Sequence, residues 1–246
     1  MELFDEFIWP FHAFVATHIV TGSVGLVAFW VAVIARKGHD NHRQWGTYFF
    51  WSMLLTGSVA MVMASLTIAD PIKTHPHLEL PAVTIQGIFG WMMLYLALLT
   101  VNLAWYGREC IRNRRCHEQH RTPFNLFLQF ALAVAAVNCG WRGWQINQPL
   151  MTLISFVGIA TVVTNLLFMT ARSPSMLSWQ REHLKGLVGA GISVYTAFFA
   201  FGAVRIAPEW ALNPVLWSMP LSVGLAIILY HWWRIRQREM LSLRAR

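Results

Sequence analysis

The stretch 8–35, IWPFHAFVATHIVTGSVGLVAFWVAVIA, ended by Arg36-Lys37-Gly38-His39-Asp40, decides how the chain is read. It contains no Asp, Glu, Lys or Arg. A membrane span needs about 20 apolar residues to cross about 30 Å of hydrocarbon, and this run exceeds that. It is apolar around its whole circumference rather than along one stripe, as a lipid-embedded helix must be. Six more runs of the same kind follow, at about 47–69, 82–106, 124–144, 150–171, 184–204 and 212–233. Backbone groups in hydrocarbon must be satisfied internally, so helices fit, and the alternating pattern of barrel strands is missing. The expected fold is therefore all-α: a polytopic membrane bundle of seven transmembrane helices, one transmembrane domain over residues 1–246.

Composition agrees. Of 246 residues, 56% are hydrophobic and 12% charged, with mean hydropathy +0.46. A soluble domain carries roughly 25% charged residues, so lipid has to be the outer solvent for much of this chain. The net charge of +8 would suggest nucleic acid in a soluble protein. Here the arginines lie between apolar runs, and no basic stripe with interleaved aromatics exists, so nucleic-acid binding is excluded. The three cysteines, Cys110, Cys116 and Cys139, form no paired framework, and the acidic start Met1-Glu2-Leu3-Phe4-Asp5-Glu6 is no signal peptide.

Orientation follows from the basic residues. Arg36, Lys37 and Arg43 lie in the first loop, Arg108, Arg112, Arg114, Arg115 and Arg121 in the third, and Arg172, Arg181 and Lys185 in the fifth. The tail holds Arg234, Arg236, Arg238, Arg244 and Arg246, whereas loops two, four and six hold only Lys73, Arg142 and Arg205. This alternation is the positive-inside pattern, with the N-terminus outside and the C-terminus in the cytoplasm of a bacterial inner (plasma) membrane. Trp9, Trp45, Trp105, Trp144, Trp179, Trp210, Trp232 and Trp233 fall near run ends, where amphipathic rings anchor at the interface.

His18 is the most informative single residue, because an ionisable group inside a span needs partners away from water. It lies about 26 Å above the cytoplasmic end of its run at about 1.5 Å per residue. Met61, Asn138, Arg142 and Tyr195 reach a similar outer-half layer, with Gln86 at its top. If they face one another, His18, Asn138, Arg142 and Tyr195 line a pocket for an anionic or redox-active ligand; otherwise they are interhelical hydrogen-bonding groups. On the cytoplasmic side stand His39, His42, His183 and His231. Of these, His42, His183 and His231 are the candidate ligands for a haem b or a metal ion, imidazole being a common ligand of both. Cys110, Cys116, His117 and His120 are zinc-type residues at an unfamiliar spacing, and His75-Pro76-His77 is a weaker pattern still.

No Asp or Glu lies inside a run, which weighs against a carboxylate proton relay. No lysine lies deep in one, which argues against a retinal Schiff base. Nucleotide-binding, serine-hydrolase and zincin motifs are missing. Gly22 and Gly25, Gly87 and Gly90, and Gly186, Gly189 and Gly191 are spaced for close helix contact.

The pattern His18-x3-Gly22-x2-Gly25, then Arg36-Lys37-Gly38-x3-His42-x3-Gly46 and Met53, with the later Trp179-x3-His183 and Tyr195-Thr196-Ala197-Phe198, resembles a bacterial family of predicted multi-pass membrane proteins, the domain of unknown function 2306. The matched pieces fall in the first two runs and the sixth. The resemblance implies a multi-pass bundle and marks His18, His42 and His183; it supplies no activity. Where that family carries an acidic residue near the end of the fifth span, this chain reads Phe168-Met169-Thr170.

Three function classes follow. Histidine is the dominant ionisable type near the runs, which slightly favours a membrane redox or cofactor-binding protein. A small-solute transporter or channel would use the outer polar layer. A structural or assembly subunit would use neither. The partners expected are the lipid bilayer and a small-molecule or cofactor ligand.

Overall fold

A computed structural model describes residues 2–202 and 213–244, the side chains of 2–10, 214, 217 and 242–244 apart. Arg205, Pro208, Trp210 and Arg246, with the facing ends of the sixth and seventh runs, lie outside the described residues, as do the side chains of Trp9 and Arg244.

The described residues form helices and no β-strand. The long helices are α1 (Glu2–Ile34), α2 (Asp40–Ala69), α3 (Ala82–Arg112), α4 (Pro123–Gln145), α5 (Pro149–Thr170), α6 (Ser178–Gly202) and α7 (Pro214–Arg244). Six of them, α1 to α6, are long and apolar enough to cross a membrane, α1 over Phe11–Ile34. Their outer surfaces are apolar: Val20 is 63% exposed, Phe130 68% and Leu167 66%. Apolar surface on that scale is disfavoured in water and satisfied by lipid.

Helix ends have local causes. Thr122 accepts a hydrogen bond from Asn125 N and Pro123 follows it, a capped start for α4. Pro149 occupies the equivalent first turn of α5. Between α2 and α3, Asp70 accepts from Lys73 N and pairs with the Lys73 ammonium, closing the single turn Pro71–Thr74. The turn after α1 passes through Gly38 at φ +82°, a conformation that disfavours a Cβ.

Four helices outrun their apolar runs at the end of the bundle that carries most of the basic residues. α2 starts at Asp40, α3 continues to Arg112, α6 starts at Ser178 and α7 continues to Arg244. Hydropathy ends a run where charge begins, but helical hydrogen bonding does not stop there. These turns carry four carboxylates, Asp40, Glu109, Glu182 and Glu239, so the exclusion of Asp and Glu holds for the runs and not for the helices. Glu182 accepts a 2.6 Å hydrogen bond from the Tyr106 hydroxyl and pairs with Lys185. Glu109, buried, accepts from Asn113 Nδ2 at 3.0 Å.

Helix α3 is the hub: it packs against α2, α4 and α6. α1 packs on α2 and, more lightly, on α6; α7 packs on α6; α5 packs on α4. The α3–α6 seam depends on glycine. A Cβ at Gly186 would stand 2.6 Å from Gly107 Cα, so neither helix can carry a larger side chain there without moving apart. Between α3, α4 and α5 a fully buried amide cluster replaces apolar packing. Asn165 Nδ2 donates to Gln129 Oε1 at 3.1 Å and to Asn102 Oδ1 at 3.4 Å. Two π-helical segments interrupt the α geometry, Gln86–Met92 in α3 and Phe198–Gly202 in α6.

Candidate functional site

The start of α3 and the end of α4 flank a cleft of about 800 Å³. Its polar lining is Thr84, Gln86, Trp91, Arg142, Gln145 and Asn147. Each position has a local cause. Gln86 and Trp91 lie on the π-helical stretch of α3, whose wider turn shifts the side chains that follow it. Gln86 is held by a 2.8 Å hydrogen bond from its Nε2 to Ile68 O. Arg142 is in the last turn of α4, and Asn147 turns the chain back towards α5 at φ 51°. Asparagine tolerates that left-handed conformation better than most residues.

The electrostatics of this cleft are one-sided. None of the residues lining it is acidic, and Arg142 supplies a full positive charge. The guanidinium lies 5.4 Å from the Trp91 ring centroid, a cation–π contact. Arg142 Nε and Trp91 Nε1 are buried donors without a hydrogen-bond partner. Leaving a buried donor unpaired costs about 1–3 kcal/mol. A guanidinium with open donors suits a carboxylate or phosphate, which can take two parallel hydrogen bonds.

The four outer-layer residues divide between two sides of α3. His18 Nδ1 donates to Thr56 O on α2 at 3.2 Å, beside a 2.8 Å hydroxyl contact between Thr56 and Thr21. The Tyr195 hydroxyl donates to Leu26 O on α1 at 2.8 Å. Both therefore join α1 to a neighbour. Asn138 and Arg142 are on α4, which packs on α3 and α5. Arg142 lines the outer cleft, Tyr195 lines a separate apolar groove, and His18 and Asn138 line neither.

His42, His183 and His231 draw closer together. His42 Nδ1 donates to Ala32 O at 2.9 Å, and His183 Nδ1 donates to Gly107 O at 2.9 Å. His183 is within electrostatic reach of His42, Lys37 and Arg108, and His231 is within reach of Lys37. Lys37 folds back along α1 so that its ammonium donates to Ala32 O and Val33 O. No three His, Cys, Asp or Glu side chains among the described residues form a metal-holding group. The zinc-type residues of the third loop disperse: Cys110 is buried on α3, Cys116 is exposed, and His117 and His120 pack on Phe168. Burial, with the neighbouring His117, pushes His120 down to about 4. His75, set on Phe89 with His77 beside it, is likewise lowered to about 4, burial being the larger cause.

Three features escaped the sequence reading. The partner of Arg142 is Trp91, an aromatic residue within a run that gave no polar signal. Lys37 bends back over the end of α1, which its place in a basic loop does not reveal. The amides Asn102, Gln129 and Asn165 were visible as polar residues inside apolar runs, and that signal sufficed to suspect them.

No protein-family model matches the chain, and no curated protein and no solved structure matches it.

Proposed function

We propose that this chain is a multi-pass membrane protein that captures a small carboxylate- or phosphate-bearing solute in its outer cleft, as the entry step of transport. The observation that carries this reading is the positive charge of Arg142 in the wall of a cleft that no acidic residue lines. A carboxylate or phosphate would meet that charge, and Gln145 and Asn147 stand at the same wall to select among anions. The test is a thermal-shift and calorimetric screen of purified protein against small carboxylates and phosphates. At least one anion should stabilise the protein saturably, and Arg142→Ala should remove that effect. A screen without a hit, or a hit indifferent to Arg142→Ala, would defeat the reading.

The topology belongs to the same proposal: seven spans in a bacterial inner membrane, N-terminus outside. Supporting it, α7 has 31 residues, and a helix of that length extends roughly 45 Å. The basic residues also cluster in alternate loops. Reporter fusions at loops one, three and five and at the C-terminus should read cytoplasm, and those at loops two, four and six periplasm.

A second reading gives the inner histidines a haem or metal ion, as the resemblance to the domain of unknown function 2306 would allow. It is favoured by one observation: His42 and His183 each donate Nδ1–H to a backbone carbonyl, which orients the ring and leaves Nε2 outward for a ligand bond. A Soret band in protein expressed with added haem, lost in His183→Ala, would support it; its lack would remove it.

A further inference from the structure

We infer that the anion taken by the cleft between the start of α3 and the end of α4 is a hydroxylated monocarboxylate of the sugar-acid kind, which rests on the anion-capture reading of that cleft. Charge sets the first limit. Arg142 is the only charged residue in the lining. One carboxylate meets it. A second anionic group would have to leave water for neutral side chains alone, at a cost that nothing in the wall offsets. A ligand ammonium would find no carboxylate there. One face of Trp91, which could receive a cation, is already taken by the guanidinium, 5.4 Å from the ring centroid.

The neutral polar groups choose the body of the ligand. Gln86 is tied: its Nε2 donates to Ile68 O at 2.8 Å, which leaves Oε1 as an acceptor. The Thr84 hydroxyl and the Gln145 and Asn147 amides carry no such tether to the described residues, and each both donates and accepts. A phosphate monoester offers these groups acceptor oxygens alone, and brings close to two negative charges against one guanidinium. An alkyl carboxylate offers them nothing beyond its charged end. A hydroxyl donates and accepts, so a hydroxylated ring can give a hydrogen to Gln86 Oε1 and take one from an amide N–H. Trp144 stands at the same wall, 67% exposed, with its ring centroid 5.3 Å from that of Trp141. An exposed indole gives the C–H face of a sugar ring an apolar surface to cover. The volume of about 800 Å³ suits an organic molecule rather than a bare inorganic ion.

The experiment is calorimetric titration of the purified full chain with ring-matched probes: glucuronate, cyclohexanecarboxylate, glucose and a glucose phosphate monoester. Glucuronate should bind. Cyclohexanecarboxylate, which keeps the ring and the charge but has no hydroxyl, should bind about ten-fold more weakly, the effect of losing one or two neutral hydrogen bonds. Glucose, without the charge, and the phosphate monoester should also bind more weakly than glucuronate. Asn147→Gly removes an amide and keeps the left-handed turn at φ 51°. Gln145→Met removes another and keeps the side-chain length. Each should cut the preference for glucuronate over cyclohexanecarboxylate several-fold. Equal affinity for these two carboxylates, or tighter binding of the phosphate monoester, overturns the sugar-acid assignment; where that binding is lost in Arg142→Ala, anion capture stands without it. Glucuronate binding unchanged in Arg142→Ala defeats both. Binding of none of the probes overturns the sugar-acid assignment, and the wider screen of carboxylates and phosphates then decides anion capture by itself.

Discussion

Lys37 and Arg142 stand near opposite ends of the bundle and are treated in opposite ways. Lys37 is tethered: its ammonium donates to two carbonyls at the end of α1, and His42 donates to one of the same pair. Those carbonyls belong to the last turn of a helix, whose C=O groups have no partner within it. A cation there satisfies them and meets the negative end of the helix dipole. Arg142 is also near the end of a helix, yet its Nε is buried and unpaired, with the guanidinium over Trp91. Groups tied to the backbone hold the fold. Arg142, whose Nε the fold leaves unpaired, lines the cleft proposed for an anion.

The largest test of this contrast is Arg142→Ala. Removing a charge-assisted pair costs about 1.5–3 kcal/mol, so the affinity of the outer cleft for its anion should fall roughly 10- to 100-fold. Stability without ligand should hold or rise, because an unpaired buried donor leaves with the side chain. Calorimetry for binding and thermal unfolding for stability check the two halves. A large fall in unfolding temperature with no change in binding would reverse the assignment.

Asn165→Leu is the matching test of an interior tethered group. It leaves Gln129 Oε1 and Asn102 Oδ1 buried without the donor that joins α5 to α4 and α3. The cost should be on the order of 1–3 kcal/mol of stability, with anion binding unchanged. Measurements in membranes lie towards the low end of that range. Detergent-resistant unfolding followed by circular dichroism reads it directly.

The two ends respond alike to pH. His120, in the inner loop, is buried and its folded-state value lies at about 4, below the ordinary 6.5. Protonation is thus harder in the folded chain than in the unfolded one. The stability this group supports is complete above about 6.5 and is lost as pH falls towards 4. The loss should amount to on the order of 1–2 kcal/mol, allowing for relaxation around the charged ring. His75, in the outer loop, is lowered to the same region and acts in the same direction. Unfolding temperature should therefore fall between pH 6.5 and pH 4, less steeply in His120→Asn than in the parent chain.

Why these pairings had to wait for a structure is a question of azimuth. Counting residues along a helix gives depth at about 1.5 Å each, which sufficed to place His18 and Arg142 in one layer. It says nothing about which helices are neighbours, and α3 stands as the hub between α1's partners and α4. Extrapolating faces along α3 fails as well, because the π-helical stretch Gln86–Met92 rotates everything beyond it. The six membrane-competent helices were legible because apolar all-round runs need no neighbour to be recognised. Glycine seams were legible for a related reason: Gly25 against Met53, Gly90 against Ile68 and Gly186 against Gly107 each occupy tight contacts. The inner helix ends were not, since Trp179, Arg181, Glu182 and Lys185 form a polar turn that hydropathy reads as loop and the backbone continues as α6.

The smallest expected effect belongs to His18, and it bears most directly on the contrast between tethered and open groups. Its Nδ1 donates to Thr56 O at 3.2 Å, and that carbonyl sits beside the hydroxyl contact of Thr56 with Thr21, so the residue joins α1 to α2 in a small polar seam. A single intramembrane hydrogen bond is worth about 0.6 kcal/mol on average, because the separated helices also find partners. His18→Ala should therefore lower stability by about that amount plus a modest packing loss. It should leave anion binding at Arg142 unchanged. His18→Gln, which keeps a donor near Thr56 O, should recover most of the loss, whereas His18→Leu should not. The readout is the difference in unfolding temperature among the three variants, taken with the binding titrations. Should His18→Ala instead abolish anion binding at unchanged stability, the outer end would contain a tethered group that serves the ligand, and the division drawn between the two kinds of group would not hold there.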